Sequence, residues 1–179
     1  MDTLLIQLVA PMQSWGVQSL HGDRDTGREP TKSGVVGLLC AALGRDRSAD
    51  LSDLAALRMG VRVDREGVLQ HDFQKAEPLD IWGNSTGKVT IGNRHYLSDA
   101  AFLVGLEGEF GLLETLQQAL RLPVYHLYLG RKAFPPSKPV WLPDGLQRGK
   151  ALLDALADYP PVAASAPQRM RMSKPPFLG

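Results

Sequence analysis

The chain has 179 residues, which suits a single globular domain over 1–179 and leaves too little for a second complete core. Its 44% hydrophobic and 22% charged content excludes disorder of the whole chain. A net charge of +1 excludes a uniform polyelectrolyte but conceals segregation: residues 121–150 hold six cations against Asp144 alone, while residues 97–120 hold four acids and no base.

In chain order, residues 3–9 (TLLIQLV) are short, β-prone and apolar, and read as a buried first strand that Pro11 stops. The apolar run 4–9 is far too short to cross a bilayer, and the basic start and small-residue cleavage pattern of a signal peptide are missing. The lone Cys40 cannot form an internal disulfide and reads as a small buried hydrophobe, so the expected compartment is the cytoplasm. Residues 12–30 read as a long loop or irregular ribbon, of a length that is usually functional or disordered. A helix then starts at Pro30 and Thr31, continues through Val35, Val36, Leu38, Leu39, Ala42 and Leu43, and ends at Gly44. Gly34 and Gly37 lie three apart on one side of it; each costs about 1 kcal/mol of helix stability, a cost that close approach of a strand or a ligand would explain.

Residues 59–63 predict a second strand, with 68–73 pairing to it across the turn at 65–67. Pro78, Gly83, Gly87 and Gly92 interrupt the next stretch and leave 88–91 as a candidate hairpin arm. Residues 100–106 predict a strand, 110–120 a helix striped by Leu112, Leu113, Leu116 and Leu120, and 124–129 another strand. Pro135, Pro136, Pro139 and Pro143 predict irregular structure until a short helix near 150–156, within a proline-rich, basic C-terminal region from about 133. The order β, α, β, insertion, β, α, β is that of an α+β, ferredoxin-like split βαβ domain with an antiparallel sheet, the frame of the RNA-recognition motif (RRM-like), plus a short C-terminal extension.

Three segments carry chemistry. In the first, 12–16, Trp15 beside Gly16 at a strand end can stack a base, an interaction worth about 1–3 kcal/mol, or can simply plug the end of the core. In the second, 24–34, Arg24, Arg28 and Lys32 surround a helix N-terminus at Thr31 and Ser33, which suits phosphate without the Walker spacing. Asp23, Asp25 and Glu29 interleave with these cations, so surface charge pairing is the competing reading. In the third, 125–132, Tyr128, Gly130, Arg131 and Lys132 suit a nucleotide held by stacking and phosphate contacts, or a plain strand ending in a basic turn. Arg94-His95-Tyr96 repeats the cation-plus-aromatic composition more weakly. The sequence lacks C-x-x-C, H-x-x-H, clustered carboxylates and a glycine fingerprint, so neither a metal nor a nucleotide cofactor is expected.

Together the runs PMQSWG, RDTGREPTKSGVVGLLCAALG and YHLYLGRKAFPPSKP resemble CRISPR-associated protein family five, subtype E, of the RAMP superfamily. The similarity is strongest over residues 1–45 and 120–140. The resemblance implies a ferredoxin-like domain whose insertion, at about 72–97, looks like a thumb reaching between guide bases near the neighbouring subunit. It implies a non-catalytic subunit for antiviral defence at the foot of the Cascade complex. That subunit would hold the CRISPR RNA 5′ handle, touch the backbone and large subunits, meet target DNA only through the complex and have no membrane contact. By the same resemblance Gln13, Ser14, Trp15 and Gly16 would line the handle, and Arg24, Arg28, Thr31, Lys32 and Ser33 would meet phosphate or bases, with Arg94 as a further contact. Tyr128, Gly130, Arg131 and Lys132 would close the other side. The alternative is a metal-independent endoribonuclease processing CRISPR precursor RNA. It would draw a general acid and base from His21, His95 and His126 with Tyr96, Tyr128 or Lys132, although in subtype E a separate subunit is the usual nuclease.

Overall fold

The computed structural model describes residues 1–17, 23–87, 89–163 and 169–172. The apolar N-terminal run forms β1 (Asp2–Val9), and the expected loop after it contains two short strands, β2 (Met12–Gln13) and β3 (Asp23–Arg24). The first helix is α1 (Lys32–Leu43), with Thr31 as N-cap and Gly44 closing it in the left-handed region at φ 73°. There follow α2 (Ser52–Ala56), β4 (Arg58–Arg65), β5 (Val68–Ala76), β6 (Thr90–Ser98), β7 (Ala101–Gly108), α3 (Phe110–Arg121), β8 (Trp141–Gln147), α4 (Leu152–Asp158) and β9 (Arg169–Met172).

The main sheet has five strands in the order β8-β1-β7-β4-β9. Its first four are the fourth, first, third and second strands of the split βαβ unit, and every pairing is antiparallel. Strand alternation separates two cores. Leu4, Ile6, Leu8, Phe102, Val104 and Leu106 face α1 and α3, while Leu5 and Leu103 face Leu152, Ala155 and Leu156 of α4. The face that an RNA-recognition motif leaves open is therefore covered here. A buried ion pair fixes that cover: Arg62 on β4 bonds Asp64 at 2.8 Å and the carbonyls of Leu156, Tyr159 and Pro160, while Asp64 accepts the Val162 N–H at 2.6 Å. Among the described residues no helix is long and apolar enough to cross a membrane.

Three local expectations are corrected. Residues 68–73 do not pair with β4, because β7 and β9 occupy both of its edges; β5 pairs with β6 instead, from Val68↔Ser98 to Ala76↔Thr90. Residues 124–129 are not a strand: the N–H groups of Val124 and Tyr125 bond the carbonyls of Ala42 and Ala41, so the segment caps the end of α1. The missing strand is β8, inside the proline-rich stretch. It lies at the sheet edge with a register shift opposite β1, where Pro143 is tolerated. Of the candidate arm 88–91, Lys88 lies outside the described residues and Thr90 and Ile91 belong to β6. A second sheet, β2-β6-β3 with β5 also on β6, stands beside the main one.

Candidate nucleic-acid interface

The β3–β6 pairing is parallel and sets Arg24 opposite Arg94. Arg131 reaches the same place from the loop after α3, donating Nη2–H bonds to the His95 carbonyl at 2.9 Å and the Arg24 carbonyl at 3.3 Å. Its guanidinium lies 5.5 Å from the centre of the Phe134 ring, which in turn meets Tyr96 at 5.9 Å. Burial, and then Arg94 and Arg24, hold the Arg131 guanidinium below its ordinary pKa, with Asp72 opposing. Cations gathered from three segments repel one another, and Asp72, the cross-strand partner of Arg94, offsets only part of that repulsion. A bound polyanion would offset the rest.

Beside this cluster a cleft of about 320 Å³ opens between Ser14–Gly16, the first turn of α1 and Gly130-Arg131. Thr31 accepts the Gly34 N–H at 3.3 Å, and Ser33 places its hydroxyl at the rim. The remaining first-turn N–H groups and the helix dipole favour negative charge here. The cleft wall depends on Gly130. Its φ is 99°, and a Cβ there would lie 1.8 Å from the Ser14 carbonyl oxygen. That approach lets the Ser14 N–H bond the Leu129 carbonyl at 3.0 Å.

The structure brings together Ser14, Gly16, Arg24, Thr31, Ser33, Gly130 and Arg131, with Arg94 alongside. Trp15 also lines the cleft, with its ring buried, while the other expected residues lie elsewhere. Trp15 is 1% exposed and offers no face for stacking; its ring packs on α1, where a Cβ on Gly34 would lie 2.9 Å from Cε3. The close approach expected at Gly34 is thus made by a tryptophan ring. The indole N–H donates to Gln13 Oε1 at 3.2 Å, and the buried Gln13 amide donates to the carbonyls of Leu8 and Ala100. Gln13 thus braces the indole from outside the cleft, and Trp15 enters the cleft lining as a buried ring packed on α1. The Trp15 N–H donates to Thr26 Oγ1 at 2.8 Å and the Trp15 carbonyl accepts the Gly27 N–H at 2.7 Å, which holds the arginine-bearing loop in place.

Lys32 turns inward, donating from Nζ to the Ala55 carbonyl at 2.6 Å, and burial lowers its pKa. Arg28 lines a neighbouring cleft of about 730 Å³ with Arg171, whose guanidinium is 3.4 Å from Glu29. Tyr128 lines a third, of about 480 Å³, with His126, Arg121 and Trp141. Lys132 is exposed. Of the catalytic candidates, His21 lies outside the described residues, His95 sits 6.1 Å ring to ring from His71, and Tyr96 contacts Phe134 on the other face of β6. Sequence reasoning missed Phe134, Thr26 and Asp72. Only Phe134 left a signal, its place three residues after Arg131.

The chain matches the family described as CRISPR-associated protein (Cas_Cas5) over residues 3–176. It is 34% identical over 176 residues to the CRISPR system Cascade subunit CasD of Escherichia coli (strain K12), a match covering 89% of this chain and 77% of that protein. A solved structure described as "Crystal structure of Cas protein" is 56% identical with a TM-score of 0.75, covering 90% of this chain and 72% of that one. A chain of a "CRISPR RNA-guided surveillance complex" is 34% identical with a TM-score of 0.68, covering 83% of this chain and 64% of that one. The family match runs from β1 through β9, and so takes in the split βαβ frame together with all the segments that build the arginine cluster; the chain belongs to the Cas5 family of CRISPR-associated proteins.

Proposed function

We propose that this chain is the non-catalytic subunit that holds the 5′ handle of CRISPR RNA in a cytoplasmic, Cascade-type surveillance complex. In that complex it contacts backbone and large subunits and meets target DNA only through the assembly. The observation that carries the reading is the convergence of Arg24, Arg94 and Arg131 beside the cleft at the α1 N-terminus. Guanidinium groups, backbone N–H groups and hydroxyls of Thr31 and Ser33 are donors suited to a kinked phosphate backbone. The family relationship to a Cascade subunit supplies the partner class.

A second reading, RNA cleavage, is favoured by one observation: His126 and Tyr128 share a pocket. One experiment separates the two. Labelled CRISPR repeat RNA is incubated with the chain and run on native and denaturing gels. The proposal expects retarded, intact RNA with a preference for the 5′-handle sequence. A discrete cut that disappears in His126→Ala would overturn it. Affinity is expected to fall with salt, and each phosphate contact removed by Arg24→Ala or Arg131→Ala to flatten the log–log slope by about 0.7.

A further inference from the structure

Two of the acids interleaved with the cations before α1 behave differently. Glu29 pairs with Arg171 at 3.4 Å. Asp25 lines the cleft at the α1 N-terminus, exposed, and among the described residues its carboxylate meets no cation within ion-pair distance. Its Oδ1 accepts the Thr26 N–H at 2.7 Å, and its Oδ2 has no partner among the described residues. Surface charge pairing therefore accounts for Glu29 and leaves Asp25 unexplained.

The backbone around Asp25 is fixed on both sides. Before it, Arg24 is paired against Arg94, and the Arg24 carbonyl accepts from the Arg131 guanidinium. After it, the buried Thr26 hydroxyl accepts the Trp15 N–H at 2.8 Å and donates to the Gly27 carbonyl at 3.0 Å. A carboxylate held on such a frame loses little further freedom when a ligand binds. Its chemistry stands apart from that of its neighbours. Arg24, Arg131 and the Ser33 hydroxyl line the same cleft and offer donors to phosphate. A carboxylate only accepts, and it repels a bare phosphate. A nucleotide differs from a bare anion in carrying donors of its own beside the phosphate, on the ribose and on the base edge.

We propose that Asp25 is a specificity-determining residue of this cleft: its Oδ2 accepts a hydrogen bond from a nucleoside donor, a ribose 2′-hydroxyl or a base amino group, beside a phosphate held by the arginines. This deepens the 5′-handle reading proposed above and rests on it. The test measures filter retention in EDTA of 5′-handle RNAs carrying single 2′-deoxy substitutions, and of a second set in which single bases lose an amino group. The wild-type chain is expected to lose about ten-fold at one position in one set, and the set that responds identifies ribose or base as the donor. Asp25→Asn keeps the Oδ1 acceptor for Thr26 and replaces Oδ2 by a donor. It is expected to bind unmodified handle about ten-fold less tightly, with no further loss at that position, and to bind heparin at least as tightly as the wild type. Arg24→Ala is expected to weaken every RNA by a similar factor and to keep the positional pattern. A wild-type chain indifferent to every substitution, the same positional loss in Asp25→Asn, handle and heparin weakened alike, or discrimination that needs a divalent cation would each overturn the role of Asp25 and leave handle binding standing. A wild-type chain that retains no handle RNA would overturn both.

Discussion

Replacing Gly130 by alanine tests whether the cleft wall depends on one backbone approach. At φ 99° a side chain is strained whatever space surrounds it, and this Cβ would lie 1.8 Å from the Ser14 carbonyl oxygen and 2.8 Å from its carbon. Backbone cannot rotate away as a flexible side chain can, so Ser14 must move and its 3.0 Å bond to the Leu129 carbonyl must stretch or break. Strain of this kind costs about 1–3 kcal/mol, and a buried N–H left without its acceptor about 1–3 kcal/mol more. A total near 3 kcal/mol lowers the melting temperature by roughly 6–12 °C for a chain of this size. The control is Gly16→Ala on the opposite rim, where a Cβ meets nothing within 4 Å and the melting temperature is expected to hold. The assay is thermal unfolding by circular dichroism beside RNA retention on filters. On the proposed function, Gly130→Ala also weakens retention about ten-fold or more, since the variant displaces both Ser14 and the residue before Arg131. An unchanged melting temperature with unchanged retention would refute the account of this wall.

The two glycines of α1 are expected to respond with opposite signs in the same melting assay. Gly37→Ala meets nothing within 4 Å and gains about 0.5–1 kcal/mol of helix stability, whereas Gly34→Ala is driven into the buried Trp15 ring and loses about 1–3 kcal/mol. Arg62→Ala strips the guanidinium from buried Asp64 and leaves the carbonyls of Leu156, Tyr159 and Pro160 without it; a loss of about 3–5 kcal/mol is expected by denaturant titration. Arg131→Lys keeps the charge but cannot span two carbonyls and still offer a fork to phosphate; RNA retention is expected to fall toward that of Arg131→Ala, and full retention would show that charge alone suffices.

How much was legible depended on whether the forces were local. The first strand and α1 were readable because a contiguous apolar run, a proline–threonine start and a terminal glycine each act within a few residues. The role of residues 124–129 was not, because their apolar alternation is that of a strand while their partners are the carbonyls of α1, some eighty residues earlier in the chain. The site divided in the same way. Arg24 was legible as a cation near a helix N-terminus and Arg131 as one following a glycine, but their meeting depends on the parallel pairing of β3 with β6, which no local pattern encodes. Trp15 and Lys32 carry the residue types of a nucleotide site and turn inward, because a glycine on α1 admits the indole and the Ala55 carbonyl captures the amine.

The covered sheet explains where binding chemistry can lie. An open ferredoxin-like sheet can read single-stranded RNA on its face through aromatic side chains. Here that face carries Leu5 and Leu103 beneath α4, and the Arg62–Asp64 pair locks the segment after α4 in place, so bases have no access to it. Surface for an anion then remains where loops leave the sheet, and there β6 acts as the spine. It pairs with β2, β3 and β5, places Arg94 beside Arg24, and lends the His95 carbonyl to both Arg131 and the Ser14 hydroxyl. That strand organises the cationic cluster from its middle, Arg94 being the fifth of its nine residues.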